Sequence, residues 1–221
     1  LSLVKGGPVE RRAFLDSALC QVRPSYAALF ARYRHTLNQR NALLKDIARH
    51  AELLDTLPIW DERLCRYGEA IVRERRSYLE RFSPIAAAHY EGISRGRERL
   101  ELSYEPSFSG DLAQGPHRDD VSIRLSGMAA RSFASQGQQR SAVLAMKLAE
   151  AGVLAQSCGE EPVVFLDDVL SELDAARQEY LLRQLHGRQV FLTGCELPGV
   201  VPEKEDGGLF LMDRGVLQPQ S

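Results

Sequence analysis

Apolar residues recur along the first hundred positions with helical spacing. Phe14, Leu15, Ala18 and Leu19 form a stripe after Pro8, a good first-turn residue, and predict a short helix. From Pro24 a longer helix carries Tyr26, Phe30, Tyr33, Leu37, Leu44, Ile47, Ala51 and Leu54 at steps of three and four, the seam of a coiled coil. Leu57-Pro58 is expected to break it. A second helix, from about Trp60 to Arg81, carries Leu64, Tyr67, Ile71, Tyr78, Phe82 and Ile85, and can continue past Pro84 with a kink. The simplest arrangement is an antiparallel hairpin with its tip near Thr56–Ile59. Each seam has one polar step, Arg40 and Glu74. Pairing Leu44 with Ile71, Leu37 with Tyr78 and Phe30 with Ile85 sets those two charges side by side, and a charge in a seam needs a partner.

Beyond residue 99 the period changes. Leu100–Tyr104 and Val121–Leu125 alternate like strands, the second followed by a turn at Ser126-Gly127. A helix is expected over 137–155. The short apolar run Pro162–Leu166 reads as a strand buried on both faces, then a helix over 174–186, an apolar strand over 189–193, and a last strand pair around Asp213-Arg214-Gly215. Strand, helix, strand in this order defines an α/β sheet. Residues 1–22 and 100–221 therefore form an α/β lobe, into which 23–99 inserts as a helical arm.

The composition narrows the function. At 221 residues, 44% hydrophobic and 26% charged, the chain is globular in character. It has no uninterrupted apolar run of membrane length and no secretory h-region, so no membrane association is expected. Four scattered cysteines without a CxxC pair fit a reduced, cytoplasmic setting. The near-neutral total of −2 conceals a basic first hundred residues, with 18 Lys+Arg against 12 Asp+Glu, and an acidic remainder. All but four basic residues are arginines, whose planar fork suits phosphates. Solvated helix faces would carry such arginines equally well.

Three short segments carry chemistry. Val163–Leu166 runs into Asp167-Asp168, two carboxylates at the carboxyl end of a strand, where α/β sheets bind ligands. Adjacent carboxylates call for a cation, and Mg2+ with phosphate oxygens and water meets that need; an ordinary helix cap is the plainer alternative. Ser135-Gln136-Gly137-Gln138 precedes a long helix, so free N–H groups, a dipole end and a hydroxyl come together as a phosphate site, or else as a plain N-cap. Ser171-Glu172-Leu173-Asp174 follows the Asp pair. The order of the three, within 40 residues, resembles that in the carboxyl-terminal lobe of ATP-binding-cassette (ABC) ATPases.

With those segments stand Gly7-Pro8, Arg11-Arg12, Phe14-Leu15-Asp16, Gln39-Arg40-Asn41, Leu44-Lys45 and Gly115-Pro116-His117-Arg118-Asp119-Asp120. Taken together in this order, they resemble the RecF family of bacterial DNA replication and repair proteins, related to SMC-type ATPases. The resemblance implies an ABC-type ATPase lobe with an inserted hairpin arm, a slow DNA-stimulated ATPase, and an ATP-dependent head-to-tail homodimer. It implies a role in replication, recombinational repair and the SOS response, in which RecA is loaded at gaps or stalled forks. The implied partners are single-stranded and gapped double-stranded DNA, RecR and RecO. The cofactors it implies are ATP and Mg2+. By motif, Asp167 holds Mg2+ and Asp168 is the general base. Ser135, Gln136, Gly137 and Gln138 meet the partner subunit's ATP, Ser171 and Asp174 form the loop that couples the two sites, and Thr193 is the switch residue. DNA contacts fall to Arg73, Arg75, Arg76, Arg95, Arg97 and Arg99.

One element of the family pattern is missing. No GxxxxGK(S/T) loop occurs in the chain, and none of its four lysines follows a glycine. The resemblance therefore covers the carboxyl-terminal two-thirds of a RecF-like protein, and ATP and Mg2+ are expected only together with the missing loop. The alternative is a degenerate, non-enzymatic cassette that acts as a dimerisation and DNA-interaction module. A third reading, a metal-dependent nuclease, would use Asp119, Asp120, Asp167 and Asp168.

Overall fold

A computed structural model describes residues 1–107, 115–195 and 207–220. The chain divides into two compact units, Leu1–Pro162 and Val163–Ser221. The first begins with α1 (Ser2–Lys5), α2 (Pro8–Val22) and α3 (Pro24–Ile47), then a 3-10 turn over Ala51–Thr56 and α4 (Leu57–Ser94). A three-stranded antiparallel sheet follows, β1 (Leu100–Glu105), β2 (Asp120–Leu125) and β3 (Met128–Ala129), and the unit ends with α5 (Ala130–Phe133) and α6 (Gln136–Cys158).

The longest element is α4, 38 residues or about 57 Å at 1.5 Å per residue. It packs on α3 along its first half and on α6 and β1 further on. Its buried row is Leu64, Gly68, Ile71, Arg75, Tyr78, Leu79, Phe82, Ala86, Tyr90 and Ile93. Opposite, α6 buries Ala142, Ala145 and Ala149 without exposed surface, and such small side chains let helices approach closely. Phe82 is held edge-on by Phe14 of α2, with ring centres 5.7 Å apart, and stacks on Tyr78 at 5.5 Å. In the sheet Leu100 faces Leu125 and Tyr104 faces Val121, and the buried Val121, Ile123 and Leu125 alternate with more open positions. Ser126 and Gly127 both take positive φ in the two-residue β2–β3 connection, as a type I′ hairpin turn requires.

The hairpin arm forms, but its register differs from the sequence expectation. Pro58 does not end the first helix; it lies in the first turn of α4, where its missing N–H costs nothing. The first helix stops at Ile47 and the 3-10 turn makes the tip. Arg40 consequently pairs with Asp61, and Glu74 pairs with Arg23. The polar residue inside the α4 seam is Arg75 and not Glu74, because steps of four from Leu64 and Ile71 carry the core through Gly68 and Arg75. Pro84 lies within α4, which continues to Ser94. Towards the tip the seam opens, with Leu44 and Leu54 exposed.

The second unit contains β4 (Val164–Asp167), a 3-10 turn (Leu170–Glu172), α7 (Ala175–Leu185) and β5 (Val190–Thr193), a strand–helix–strand with β4 and β5 parallel. The hairpin of β6 (Leu209–Asp213) and β7 (Val216–Gln220) turns at Arg214-Gly215. The expectation of a strand buried on both faces is not met. Phe165 is 72% exposed and stacks on the exposed Phe191, ring centres 5.0 Å apart. The apolar run fixes the strand, but no described layer covers that face. Among the described residues, no helix is long and apolar enough to cross a membrane. All four cysteines are free.

Candidate nucleotide and nucleic-acid sites

At the carboxyl ends of β4 and β5, Asp167 pairs across the sheet with Thr193, whose hydroxyl donates to the Asp167 carboxylate. Asp168 leaves the strand with φ of 51°, a left-handed conformation uncommon outside glycine, Asn and Asp. Its N–H donates to the Thr193 carbonyl at 3.1 Å, and its own carbonyl accepts from the Ser171 hydroxyl at 2.9 Å. Asp174 caps α7 by accepting from the Arg177 N–H at 3.0 Å. Asp167, Asp168, Ser171, Asp174 and Thr193 are all exposed, so the second unit places every one of its expected site residues at one open sheet end and the helix start beyond it. Among the described residues no three acidic, His or Cys side chains cluster as a ready metal cage. A strand-end carboxylate such as Asp167 suits Mg2+, which takes most of its ligands from phosphate and water.

In the first unit, Ser135 caps α6. Its Oγ accepts from the Gln138 N–H at 3.3 Å, and the Gln138 side-chain oxygen accepts from the Ser135 N–H at 2.6 Å, a complete capping box. The cap and the phosphate reading do not exclude each other: a serine hydroxyl that accepts one bond still has its proton to donate. Ser135 and Gln136 are exposed, and Gly137 and Gln138 are half-buried.

The six arginines separate. Arg73 and Arg76 are exposed on α4, the latter over the Tyr104 ring at 5.9 Å, and Arg95, Arg97 and Arg99 are exposed where α4 hands over to β1. Arg75 is not a DNA contact. It is 1% exposed and its guanidinium is fully engaged: Nε and Nη2 donate to the two Asp16 oxygens at 2.8 and 2.9 Å, and Nη1 donates to the Pro116 carbonyl at 2.6 Å. Tyr26 Oη also donates to Asp16, at 2.6 Å. Burial works against the Arg75 charge, but the Asp16 carboxylate outweighs it and raises the guanidinium pKa. Burial likewise raises the Tyr26 and Tyr104 phenols.

The Gly-Pro-His-Arg-Asp-Asp segment belongs to the same hub. Asp119, 1% exposed, accepts from Tyr104 Oη and from the Ser107 N–H and hydroxyl. Asp120 forms a bidentate pair with Arg11, at 2.7 and 2.8 Å. Burial alone would raise the Asp120 carboxyl, but Arg11 and the Val121 N–H hold it below its usual range. His117 Nδ1 lies 2.7 Å from Tyr33 Oη, and burial pushes that phenol up to about 12. These carboxylates are consumed by structure, which removes the nuclease reading built on Asp119 and Asp120. The sequence patterns do not join Asp16 to Arg75. A signal is nevertheless present for Arg75, the one charge in the buried row of α4; Asp16 shares the buried face of α2 with a second charge, Arg11, and carries no such mark.

No family model matches the chain. The Smc head domain of Pyrococcus furiosus superposes with a TM-score of 0.50 at 14% identity, over 86% of this chain and 52% of that one, which is a likeness of fold alone. The fold is that of ABC-type ATPase heads. Curated relatives narrow this: RecF of Agathobacter rectalis is 41% identical over 211 positions, covering 87% of this chain and 58% of the relative. RecF of Heliobacterium modesticaldum is 37% identical, covering 98% and 66%. The structure of the recombination mediator protein RecF-ATP in the RecFOR pathway matches with a TM-score of 0.86 at 32% identity, over 99% of this chain and 65% of that one. The chain belongs to the RecF family. It spans about three fifths of the length of the curated relatives first matched.

Proposed function

We propose that this chain supplies the signature, strand-end carboxylates and DNA-binding arm of a RecF-type recombination mediator acting in DNA replication and repair. The observation that carries the reading is the capped, exposed start of α6. The Ser135 hydroxyl and the helix N-terminal N–H groups of Gln136 and Gly137, in a first turn that Gln138 holds through the capping box, are ready for the terminal phosphate of an ATP held by a second subunit. Asp167 would hold Mg2+ and Asp168 would orient the attacking water; Thr193 keeps Asp167 in place, and Ser171 and Asp174 shape the turn beyond it. The metal would neutralise charge developing on the phosphates. Exposed Arg73, Arg76, Arg95, Arg97 and Arg99 would bind gapped or single-stranded DNA through its phosphates. RecR and RecO are the expected partners and RecA loading in the cytoplasm the expected outcome. The similarity to a RecF of the RecFOR pathway supports this assignment.

The experiment mixes the chain with a complete RecF protomer and Mg-ATP. A composite site formed by the partner's phosphate loop and this chain's Ser135 and Gly137 should retain nucleotide in a soluble one-to-one complex. Ser135→Arg should release it, by clash and loss of the cap. Equal retention by the variant would remove the signature from the function and favour a degenerate interaction module.

A further inference from the structure

The turn between α4 and β1 carries an acidic residue among its arginines. Glu98 is flanked by Arg97 and Arg99, and the turn begins with Arg95 and Gly96, both at positive φ. The turn is held at several points. Ser94 Oγ donates to the Glu98 carbonyl at 3.2 Å, and the Arg99 N–H donates to Ser126 Oγ at 3.2 Å. The Glu98 carboxylate reaches two helices at once. Tyr90 Oη, on α4 and 1% exposed, donates to one oxygen at 2.6 Å, and Gln138 Nε2, in the first turn of α6, donates to the other.

That second bond decides which way the Gln138 amide points. A carboxylate only accepts, so it takes the NH2 end and turns the Gln138 oxygen towards the Ser135 N–H, which only donates. Glu98 thus completes the capping box from outside the helix. We propose that Glu98 is a positioning residue: it locks the first turn of α6 to the arginine-bearing turn, so that phosphate contact at Arg95, Arg97 and Arg99 reaches Ser135 and Gln138. This rests on the reading of 135–138 as the nucleotide-facing signature and of those arginines as DNA contacts.

Residue-resolved amide exchange on the full chain tests it. Glu98→Ala frees the Gln138 amide to rotate and should speed exchange at the Ser135 and Gln138 N–H groups about five- to tenfold, the scale of a lost cap. Ala145 and Ala149, further along the same helix, should keep their rates. Glu98→Gln should restore the two cap amides, since its side-chain oxygen still accepts from Gln138. Adding a short DNA duplex should change exchange at Ser135 and Gln138 in the wild type, and only at 95–99 in Glu98→Ala. Unchanged cap amides in Glu98→Ala, or acceleration spread evenly over α6, would overturn the positioning role. A duplex that protects 95–99 yet leaves the cap amides untouched in the wild type would overturn the coupling. A chain that binds neither the duplex nor gapped or single-stranded DNA would refute the DNA reading and the coupling with it, while the two variants without DNA still decide the positioning role.

Discussion

Replacing Arg75 by methionine removes the centre of the buried hub while keeping most of the side-chain volume. Asp16 then keeps Tyr26 as a donor but loses both guanidinium bonds, and the Pro116 carbonyl loses its 2.6 Å donor. Breaking a buried ion pair from one side costs about 3–5 kcal/mol, because the remaining charge stays desolvated. Against a total stability of about 5–15 kcal/mol, that is a large fraction. For a unit of this size each kcal/mol moves the midpoint about 2–4 °C, so the variant should melt roughly 6–20 °C lower. Thermal unfolding followed by circular dichroism and by Trp60, the single tryptophan and a residue of α4, reads this directly. The double variant Asp16→Leu, Arg75→Met should recover much of the loss, since no charge is then stranded. A loss under about 1 kcal/mol for Arg75→Met, or additive losses in the double variant, would refute the argument that this pair is a desolvated, mutually dependent unit.

Replacing Arg73, Arg76, Arg95, Arg97 and Arg99 together by alanine should weaken binding to all duplexes alike and flatten the salt dependence by about one unit for each phosphate left without its arginine; an unchanged slope makes them a solvated face. The folded Asp120 carboxyl lies below its unfolded value, so its stabilisation is present at neutral pH and fades as pH falls through the lowered value. Asp120→Asn should therefore flatten the acid limb of a stability–pH curve. Tyr33 behaves in the opposite sense. With its phenol raised to about 12, its contribution is full below the unfolded value of about 10 and is lost as pH climbs through the folded one, so the phenolate absorbance that distinguishes the wild type from Tyr33→Phe should appear only as pH approaches about 12 or the chain unfolds.

Local signals translated into structure where one residue type decides the outcome. Pro8 and Pro24 start helices, Ser126-Gly127 and Arg214-Gly215 make two-residue turns, and Ser135 with Gln138 makes a capping box. The strand-end Asp pair stands where the apolar run placed it. What stayed hidden depends on a choice between near-equal alternatives. Steps of three and of four from Ile71 reach Glu74 and Arg75, and only packing against α2 and the segment at Pro116 selects the second. Leu57-Pro58 reads equally as an end or a beginning, and that ambiguity moved the hairpin tip. The role of Glu98 was invisible because its two donors lie on different helices, one of them forty residues away.

The left-handed backbone at Asp168 bears on how its proposed role as general base is to be interrogated. Alanine substitution, the habitual choice, would delete the carboxylate and also force a Cβ-bearing residue without local hydrogen-bonding ability into a conformation that costs about 1–2 kcal/mol. Any loss of turnover would then blend chemistry with a displaced turn, including the Ser171 hydroxyl that leans on the Asp168 carbonyl. Asparagine tolerates the same φ and matches the shape, so it subtracts the charge and little else. The backbone angle at one residue thus dictates which substitution yields an interpretable measurement.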